Sequence, residues 1–181
     1  MESKNKLMIT IIVGTNRKDS VSQYVAIQYA AILKEKGEES VIFNLQDLPH
    51  DFIKSALYEN VGKNAAFNKV RTLMNESKKF VFVIPEYNGS FPGVLKAFID
   101  GLDRSKALTD KKCALIGISS GDQGAGIALS HFNDILNYCG TNVLAYRIRI
   151  PKIDDVMTDN KITDIVLLTK IDKQASKLIV F

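Results

Sequence analysis

Short apolar runs alternate with amphipathic segments along the chain, and this alternation restricts the possible fold more than any other feature. The run at residues 7–13 is rich in β-branched side chains and ends at Gly14, as a buried strand does. The next segment repeats its apolar residues at helical spacing until Gly37. The same patterns predict strands at residues 7–13, 40–45, 79–84, 112–119 and 141–148, and helices at residues 20–36, 64–76, 93–103, 126–139 and 162–177. Residues 48–62 begin as a turn and carry the weakest pattern.

This order of elements predicts an α/β fold of three layers, with a five-stranded parallel sheet between helices on both faces. Right-handed crossovers leave few ways to wind five such units. In such a sheet a ligand binds in the crevice beyond the carboxyl ends of the strands. Three loops of unusual chemistry fall at that edge, at residues 14–22, 85–92 and 119–126.

Length and composition indicate the class of protein. The chain has 181 residues, of which 46% are hydrophobic, and this predicts a single domain over residues 1–181. Its longest apolar runs are far shorter than the roughly 20 residues of a membrane span, so a membrane protein is not expected. The polar N-terminus lacks the pattern of a secretory signal, which favours a cytoplasmic protein.

The charge and the cysteines restrict the partners. The net charge is +4, but the lysines are scattered, so no nucleic-acid partner is expected and a small anionic ligand suits the charge better. Pairs of lysines at residues 78–79 and 111–112 precede strands, where we expect them to be solvated. Cys113 and Cys139 are expected to be buried free thiols, with a disulfide as the alternative. No Cys or His pair has the spacing of zinc ligands, so no metal site is expected.

The first loop contains the groups that bind a phosphate monoester. Thr15, Ser20 and Ser22 supply hydroxyl groups, and Arg17 supplies a planar fork of donors. The helix that starts near Ser20 adds free backbone N–H groups and the positive end of its dipole. The alternative is a plain turn in which Asp19 or Ser20 caps the helix. The glycine patterns of dinucleotide and nucleoside-triphosphate loops do not occur in this chain.

The second loop suits a flat heterocycle. Tyr87 offers an aromatic wall, and Tyr87, Asn88 and Gly89 can present backbone N–H groups to the edge of a ring. Pro85 stiffens the start of the loop. Glu86 is either a contact to the ligand or a structural hydrogen-bond acceptor. The alternatives are ordinary packing for Tyr87 and a tight turn at Asn88 and Gly89.

The third loop begins at Ser119 and is rich in glycine. Gly121, Gly124 and Gly126 permit a close approach of the backbone to a flat ligand, and they also permit positive φ angles. Together the three loops offer a phosphate cradle, a stacking loop and a glycine-rich wall on one sheet edge. This combination fits flavin mononucleotide (FMN) better than other cofactors.

At these residues the chain resembles the NADPH-dependent FMN reductase family, which comprises flavodoxin-like quinone, azo-dye and chromate reductases. The family's first loop, Gly-Ser-x-Arg-x-x-Ser-x-Asn, corresponds here to Gly14, Thr15, Arg17, Ser20 and Ser22. Its second loop matches Pro-Glu-Tyr-Asn-Gly-Ser at residues 85–90 and the segment at residues 92–100, after which Gly101 stands where the family usually has Trp. Its third loop, Gly-x-x-Gly-Gly, is similar to residues 121–126.

The resemblance spans about residues 7–180 and implies a flavodoxin-like fold with the sheet order 2-1-3-4-5. It implies FMN as the cofactor, NADPH or NADH as the reductant, and a homodimer or homotetramer with residues 91–103 at an interface. The residues expected to bind the cofactor are Thr15, Arg17, Ser20, Ser22, Gln23, Pro85, Glu86, Tyr87, Asn88, Gly89, Ser119 and Gly121.

The function expected on this basis is the transfer of a hydride from NAD(P)H, through the flavin N5, to a quinone, azo, chromate or free-flavin acceptor. A shared open face of the ring predicts ping-pong kinetics. The flavin supplies the chemistry, so no catalytic side chain is assigned. The alternatives are an electron carrier with the same cofactor and a non-enzymatic flavin-binding or sensor protein. A carrier usually presents an acidic face, whereas this chain is basic.

Overall fold

The central sheet is parallel, and its strands have the order 2-1-3-4-5. The computed structural model describes residues 9–181, so the start of the predicted first strand, at residues 7 and 8, lies outside the described residues. The strands of the sheet are β1 (Ile9–Val13), β2 (Ser40–Asn44), β3 (Lys79–Pro85), β4 (Lys112–Ile118), β5 (Asn142–Val143) and β6 (Ile148–Ile150), the last of which also pairs with β4. The predicted α/β class and strand order are confirmed.

Helices cover both faces of this sheet. They are α1 (Val21–Glu35), α2 (Phe52–Ser55), α3 (Ala65–Glu76), α4 (Gly93–Asp100), α5 (Arg104–Ala107), α6 (Gly126–Tyr138) and α7 (Ile165–Val180). The core beneath α1 and α7 contains Ile11 and Val81, and the core beneath α3, α4 and α6 contains Phe82 and Leu115. Because β1, β3 and β4 are buried on both faces, their sequences are apolar without alternation. Within residues 9–181, no helix is both long enough and apolar enough to span a membrane.

The helix predicted at residues 93–103 ends earlier than its pattern indicates, and a second, short helix follows it. α4 ends at Asp100, and α5 begins after Asp103, whose Oδ1 accepts a hydrogen bond from the Ser105 N–H at 3.2 Å. Gly101 lies between the two helices against the ring of Phe67. A Cβ at position 101 would lie 2.5 Å from Phe67 Cζ, so Phe67 occupies the space that a side chain there would need.

The last helix starts later than its pattern predicts. Ile162 belongs to a short antiparallel hairpin formed by β7 (Met157–Thr158) and β8 (Lys161–Ile162). α7 then begins after Asp164, whose Oδ1 accepts a hydrogen bond from the Leu167 N–H at 2.7 Å. An aspartate in this position satisfies a free donor of the first turn, and it therefore sets the start of the helix.

The predicted fifth strand at residues 141–148 is interrupted. β5 and β6 pair with β4, whereas residues 144–147 leave the ladder between them. At this gap the buried side chain of Gln174, on α7, donates from Nε2 to the carbonyl oxygens of Leu115 at 3.0 Å and Tyr146 at 2.7 Å. A side-chain amide thus replaces strand pairing where the ladder is broken.

We expect Gln174→Met to lower the free energy of unfolding by about 2 kcal/mol, because two carbonyl groups in the protein interior lose their donor. Lys170→Met, at an exposed position on the same helix, is the matched control and should change the free energy by less than about 0.5 kcal/mol. Urea unfolding measures both values. Equal effects of the two substitutions would contradict the role given to Gln174.

Two lysines predicted to be solvated are buried instead. Lys79 Nζ donates to two carbonyl oxygens in the last turn of α7, at 2.9 and 2.7 Å. Lys111 Nζ donates to the carbonyl oxygens of Asn75 and Ser77 at the end of α3, at 2.9 and 2.6 Å. Burial lowers the pKa of both lysines. The prediction was wrong at these positions because free carbonyl groups and the negative end of a helix dipole attract a cation.

Both cysteines are buried free thiols, as predicted. Burial raises the pKa of Cys113 and of Cys139, so both groups stay protonated at neutral pH. A thiol attacks as its thiolate, and neither cysteine is therefore placed to act as a nucleophile.

Candidate functional site

A cleft of about 290 Å³ opens at the carboxyl ends of β1, β3 and β4, and we call it the cofactor cleft. The predicted site residues that line it are Thr15, Arg17, Ser20, Ser22, Pro85, Glu86, Tyr87 and Ser119. The predicted residues that lie outside its lining are Gln23, Asn88, Gly89 and Gly121. Of these, Gln23 accepts a hydrogen bond at Oε1 from Asn44 Nδ2, at 3.2 Å, next to the end of β2. The three loops thus meet at the sheet edge that the sequence indicates.

Ser20 ends the first loop and precedes α1, but its hydroxyl does not cap the helix. Ser20 Oγ is buried and has no hydrogen-bond partner within residues 9–181. The first turn of α1 contains no acidic side chain, and its residues Val21 and Ser22 line the cleft, so the positive end of the helix dipole lies at the cleft. The side-chain capping proposed as the alternative for Ser20 is absent, and a ligand oxygen is the acceptor that this hydroxyl and the helix end suit.

A hydroxyl pair joins the first loop to the second. Thr15 is buried, and its Oγ1 lies 2.8 Å from the hydroxyl oxygen of Tyr87. The same Oγ1 accepts a hydrogen bond from the Arg17 N–H at 3.2 Å. The hydroxyl of Tyr87 is therefore held by the first loop, and the position of the Tyr87 ring depends on the conformation of that loop.

The second loop closes on itself as a tight turn. Asn88 and Gly89 have positive φ angles of 52° and 77°, and the backbone groups of Tyr87 and Ser90 exchange two hydrogen bonds at 2.8 and 3.1 Å. The Tyr87 N–H is therefore used within the turn. Ser90 Oγ lies 3.0 Å from His131 Nδ1 on α6, which ties the turn to that helix.

Glu86 lines the cofactor cleft and contains a buried carboxylate oxygen. Its backbone N–H donates to the carbonyl oxygen of Ile118 at 2.9 Å, which fixes the residue against β4. Its Oε2 is buried without a hydrogen-bond partner within residues 9–181. The proposed role as a purely structural acceptor leaves this oxygen without a donor, whereas a ligand N–H or O–H group would satisfy it.

The glycines of the third loop divide into two groups. At Gly124, φ is +56° and a Cβ would lie 3.0 Å from atoms of residues 149–151. At Gly126, a Cβ would lie 3.1 Å from the guanidinium carbon of Arg149. These two glycines make room for the neighbouring strand. Gly121 has no atom within 4 Å of the place a Cβ would take, so it leaves open space at the loop.

We expect Gly124→Ala to lower the free energy of unfolding by about 1–3 kcal/mol, because alanine is strained at positive φ and its Cβ would crowd the strand. Gly121→Ala, in the same loop, should stay within about 0.5 kcal/mol of the parent. Thermal or urea unfolding measures both variants. A loss as large at Gly121 as at Gly124 would contradict this division.

Ile153 and Asp154 also line the cofactor cleft, and the sequence did not indicate them. The Ile153 N–H donates to the carbonyl oxygen of Ser119 at 3.1 Å, which brings this segment against the third loop. Both residues follow β6, a strand that ends at the same sheet edge. The sequence did not point to these two residues because the fifth strand was predicted to end at residue 148, short of Ile150.

The charges of the cofactor cleft indicate where an anion binds. Among its described lining residues, Arg17 is the one base, and Asp19, Glu86 and Asp154 are the carboxylates. Arg17 is therefore the lining group that suits an anion, and it lies with Asp19 in the loop that leads to the N-terminus of α1. The buried hydroxyl of Ser20 lies at the same helix end, so the residues present fit a phosphate monoester with a polar, ring-bearing remainder. Such a site on a doubly wound sheet of this order belongs to the flavodoxin-like class of nucleotide-binding folds.

Comparison with known proteins supports this class from the sequence. The profile of the family described as NADPH-dependent FMN reductase matches residues 7–151. The chain is 29% identical over 135 residues to a 2-hydroxy-1,4-benzoquinone reductase of Burkholderia sp, covering 73% of this chain and 71% of that protein. It is 27% identical over 141 residues to a quinone reductase of Escherichia coli strain K12, covering 77% of this chain and 74% of that protein.

The fold has solved counterparts. A flavoenzyme NAD(P)H:(acceptor) oxidoreductase from Paracoccus denitrificans superposes with a TM-score of 0.77 at 23% identity, covering 96% of this chain and 95% of that one. Because the family profile matches most of the chain, the protein belongs to the NADPH-dependent FMN reductase family. It is an NAD(P)H-dependent reductase with FMN as its cofactor, and the resemblance noted in the sequence is confirmed.

Proposed function

We propose that this protein is a single-domain NAD(P)H:quinone oxidoreductase that uses FMN and works by a ping-pong mechanism. The observation that carries the proposal is the buried Ser20 hydroxyl at the N-terminus of α1, which has no hydrogen-bond partner among residues 9–181 and lies in the same cleft as Arg17. The curated relatives with quinone reductase names favour a quinone over the azo, chromate and free-flavin acceptors.

The first loop would hold the phosphate of FMN. The Ser20 hydroxyl and the N–H groups of Val21 and Ser22 would donate to the phosphate oxygens, and Arg17 would neutralise their charge. Ser22 is buried in the lining of the same cleft. Thr15 contributes through its bond to Tyr87, since its Oγ1 is already engaged by that hydroxyl and by the Arg17 N–H.

The second and third loops would hold the ring. Tyr87 forms one wall, Glu86 Oε2 accepts a hydrogen bond from the cofactor, and Ser119 with the open backbone at Gly121 forms the far wall. The backbone N–H groups of Asn88 and Gly89 lie at the tip of the turn. When bound, FMN supplies the redox chemistry, accepting a hydride at N5 and passing the electrons to the acceptor.

No side chain is needed as an acid or a base in this proposal. The two cysteines are buried with raised pKa values, so they take no part as nucleophiles. NAD(P)H and the quinone would use the same exposed face of the ring in turn. Free thiols also fit a reducing compartment, and we propose a cytoplasmic location.

We also propose a homodimer or homotetramer. A groove of about 590 Å³ between α4, α5 and α6 is lined by the apolar side chains of Ile99, Leu102, Leu108 and Ile135. Tyr138, at its edge, is 81% exposed. The groove overlaps residues 91–103, the segment expected at a subunit interface. Sedimentation velocity measures the assembly state directly.

Steady-state kinetics test the proposed reaction. NADPH is varied at several fixed concentrations of 1,4-benzoquinone, with the protein loaded with FMN. Parallel lines in the double-reciprocal plot are expected, because the reductant leaves before the quinone binds. Intersecting lines would contradict the ping-pong mechanism, and the absence of turnover with either nicotinamide would contradict the reductase function.

Ser20→Ala is expected to weaken FMN binding by about tenfold or more, because the phosphate loses a donor. The free energy of unfolding of the flavin-free protein should stay within about 0.5 kcal/mol, since the hydroxyl makes no bond to the described protein. Fluorescence titration and urea unfolding give the two values. Ser176→Ala, at an exposed position on α7, is the control. A loss of stability with unchanged FMN affinity would show that Ser20 is a structural residue.

Arg17→Ala is expected to weaken FMN binding by about 1.5–3 kcal/mol, the range for a hydrogen bond to a charged group. Lys18→Ala is the control, since Lys18 is an exposed neighbour outside the lining of the cleft. The same titration measures both. A Kd that is unchanged in Arg17→Ala would remove Arg17 from the phosphate site.

A further inference from the structure

A second cleft, of about 650 Å³, lies on the other side of the third loop, and we call it the basic cleft. Its lining includes Gln123, Ile127, His131, Arg147 and Arg149. The third loop separates the two cavities, since it lines the cofactor cleft at residues 119–120 and the basic cleft at Gln123. The bond between His131 and Ser90 also connects the basic cleft to the turn of the second loop.

The basic cleft is suited to an anion by its charge. Arg147 and Arg149 are exposed, and no acidic side chain occurs among the described residues that line the cleft. Within residues 9–181, neither arginine forms an ion pair. Two uncompensated guanidinium groups in one concave surface raise the local concentration of anionic ligands.

Arg149 is held in place before any ligand arrives. Its Nε and Nη2 donate to the carbonyl oxygen of Gln123 at 3.0 and 2.7 Å. Its guanidinium also lies close to Gly126, where a Cβ would come within 3.1 to 3.4 Å of it. A guanidinium has five N–H donors, so donors remain for a ligand, and a fixed planar fork suits a phosphate.

We infer that the basic cleft binds the 2′-phosphate of NADPH and thereby selects NADPH over NADH. This inference rests on the proposed function, in which the second and third loops hold the flavin ring and NAD(P)H binds over its exposed face. The adenosine half then extends past the third loop into the adjoining cleft, where Ile127, 53% exposed, offers an apolar surface to the base. NADPH presents a phosphate monoester to Arg147 and Arg149 there, whereas NADH presents a neutral hydroxyl.

Calorimetric titration of the FMN-loaded protein with adenosine 2′,5′-bisphosphate and with AMP tests this site without turnover. We expect the bisphosphate to bind about tenfold or more tightly than AMP, the effect of a hydrogen bond to a charged group. Arg147→Gln should remove this preference, and its kcat/KM for NADPH should fall while the value for NADH is retained. Arg104→Gln, on α5 outside the basic cleft, should keep the preference.

Equal binding of the two nucleotides by the parent protein, or an unchanged preference in Arg147→Gln, would overturn the inference. Arg147 is the primary test because its side chain makes no bond within the described structure, whereas Arg149 also anchors the third loop. Failure of this inference can be distinguished from failure of the proposed function. If the proposed function is wrong, the FMN-loaded protein oxidises neither NADPH nor NADH, while the titration still decides whether the basic cleft recognises the 2′-phosphate.

Discussion

The parallel hydrogen-bonded ladder of β1, β3 and β4 is the constraint on which the site depends. Val13 pairs with Val83, and Val83 pairs with Ile116, so the three strands reach the same sheet edge in register. Apolar side chains cover both faces of these strands, and a one-residue shift of register would move each side chain into the opposite core, where it would no longer fit its neighbours. The loops that carry the polar chemistry therefore start from fixed positions.

Side chains then hold those loops against one another across the edge. The bond between Thr15 and Tyr87 links the first loop to the second, and the bond between Ser90 and His131 links the second loop to α6. Within this network, Ser20 Oγ and Glu86 Oε2 are buried polar atoms without partners in the described residues. Both residues line the cofactor cleft, so a bound flavin nucleotide is a candidate partner for both atoms.

Local patterns were sufficient to predict the parallel sheet and the edge at which the cleft lies. The motif residues, through the family resemblance, indicated the strand order. They were not sufficient for the break at residues 144–147, because Gln174, which bonds to Tyr146 there, is 28 positions away in sequence. They also could not separate Gly124, required by strand packing, from Gly121, which faces open space. The buried position of Lys79 depends on where the end of α7 lies, which no window around residue 79 contains.

The visible absorption spectrum tests the central claim most directly. The protein is incubated with FMN, desalted, and mixed with NADPH under anaerobic conditions. The structure and the family membership predict that flavin bands are retained after desalting and bleach promptly when NADPH is added. Retained bands that do not bleach would contradict the reductase function and favour an electron carrier, and a colourless protein that shows no binding in a titration would contradict the cofactor site itself.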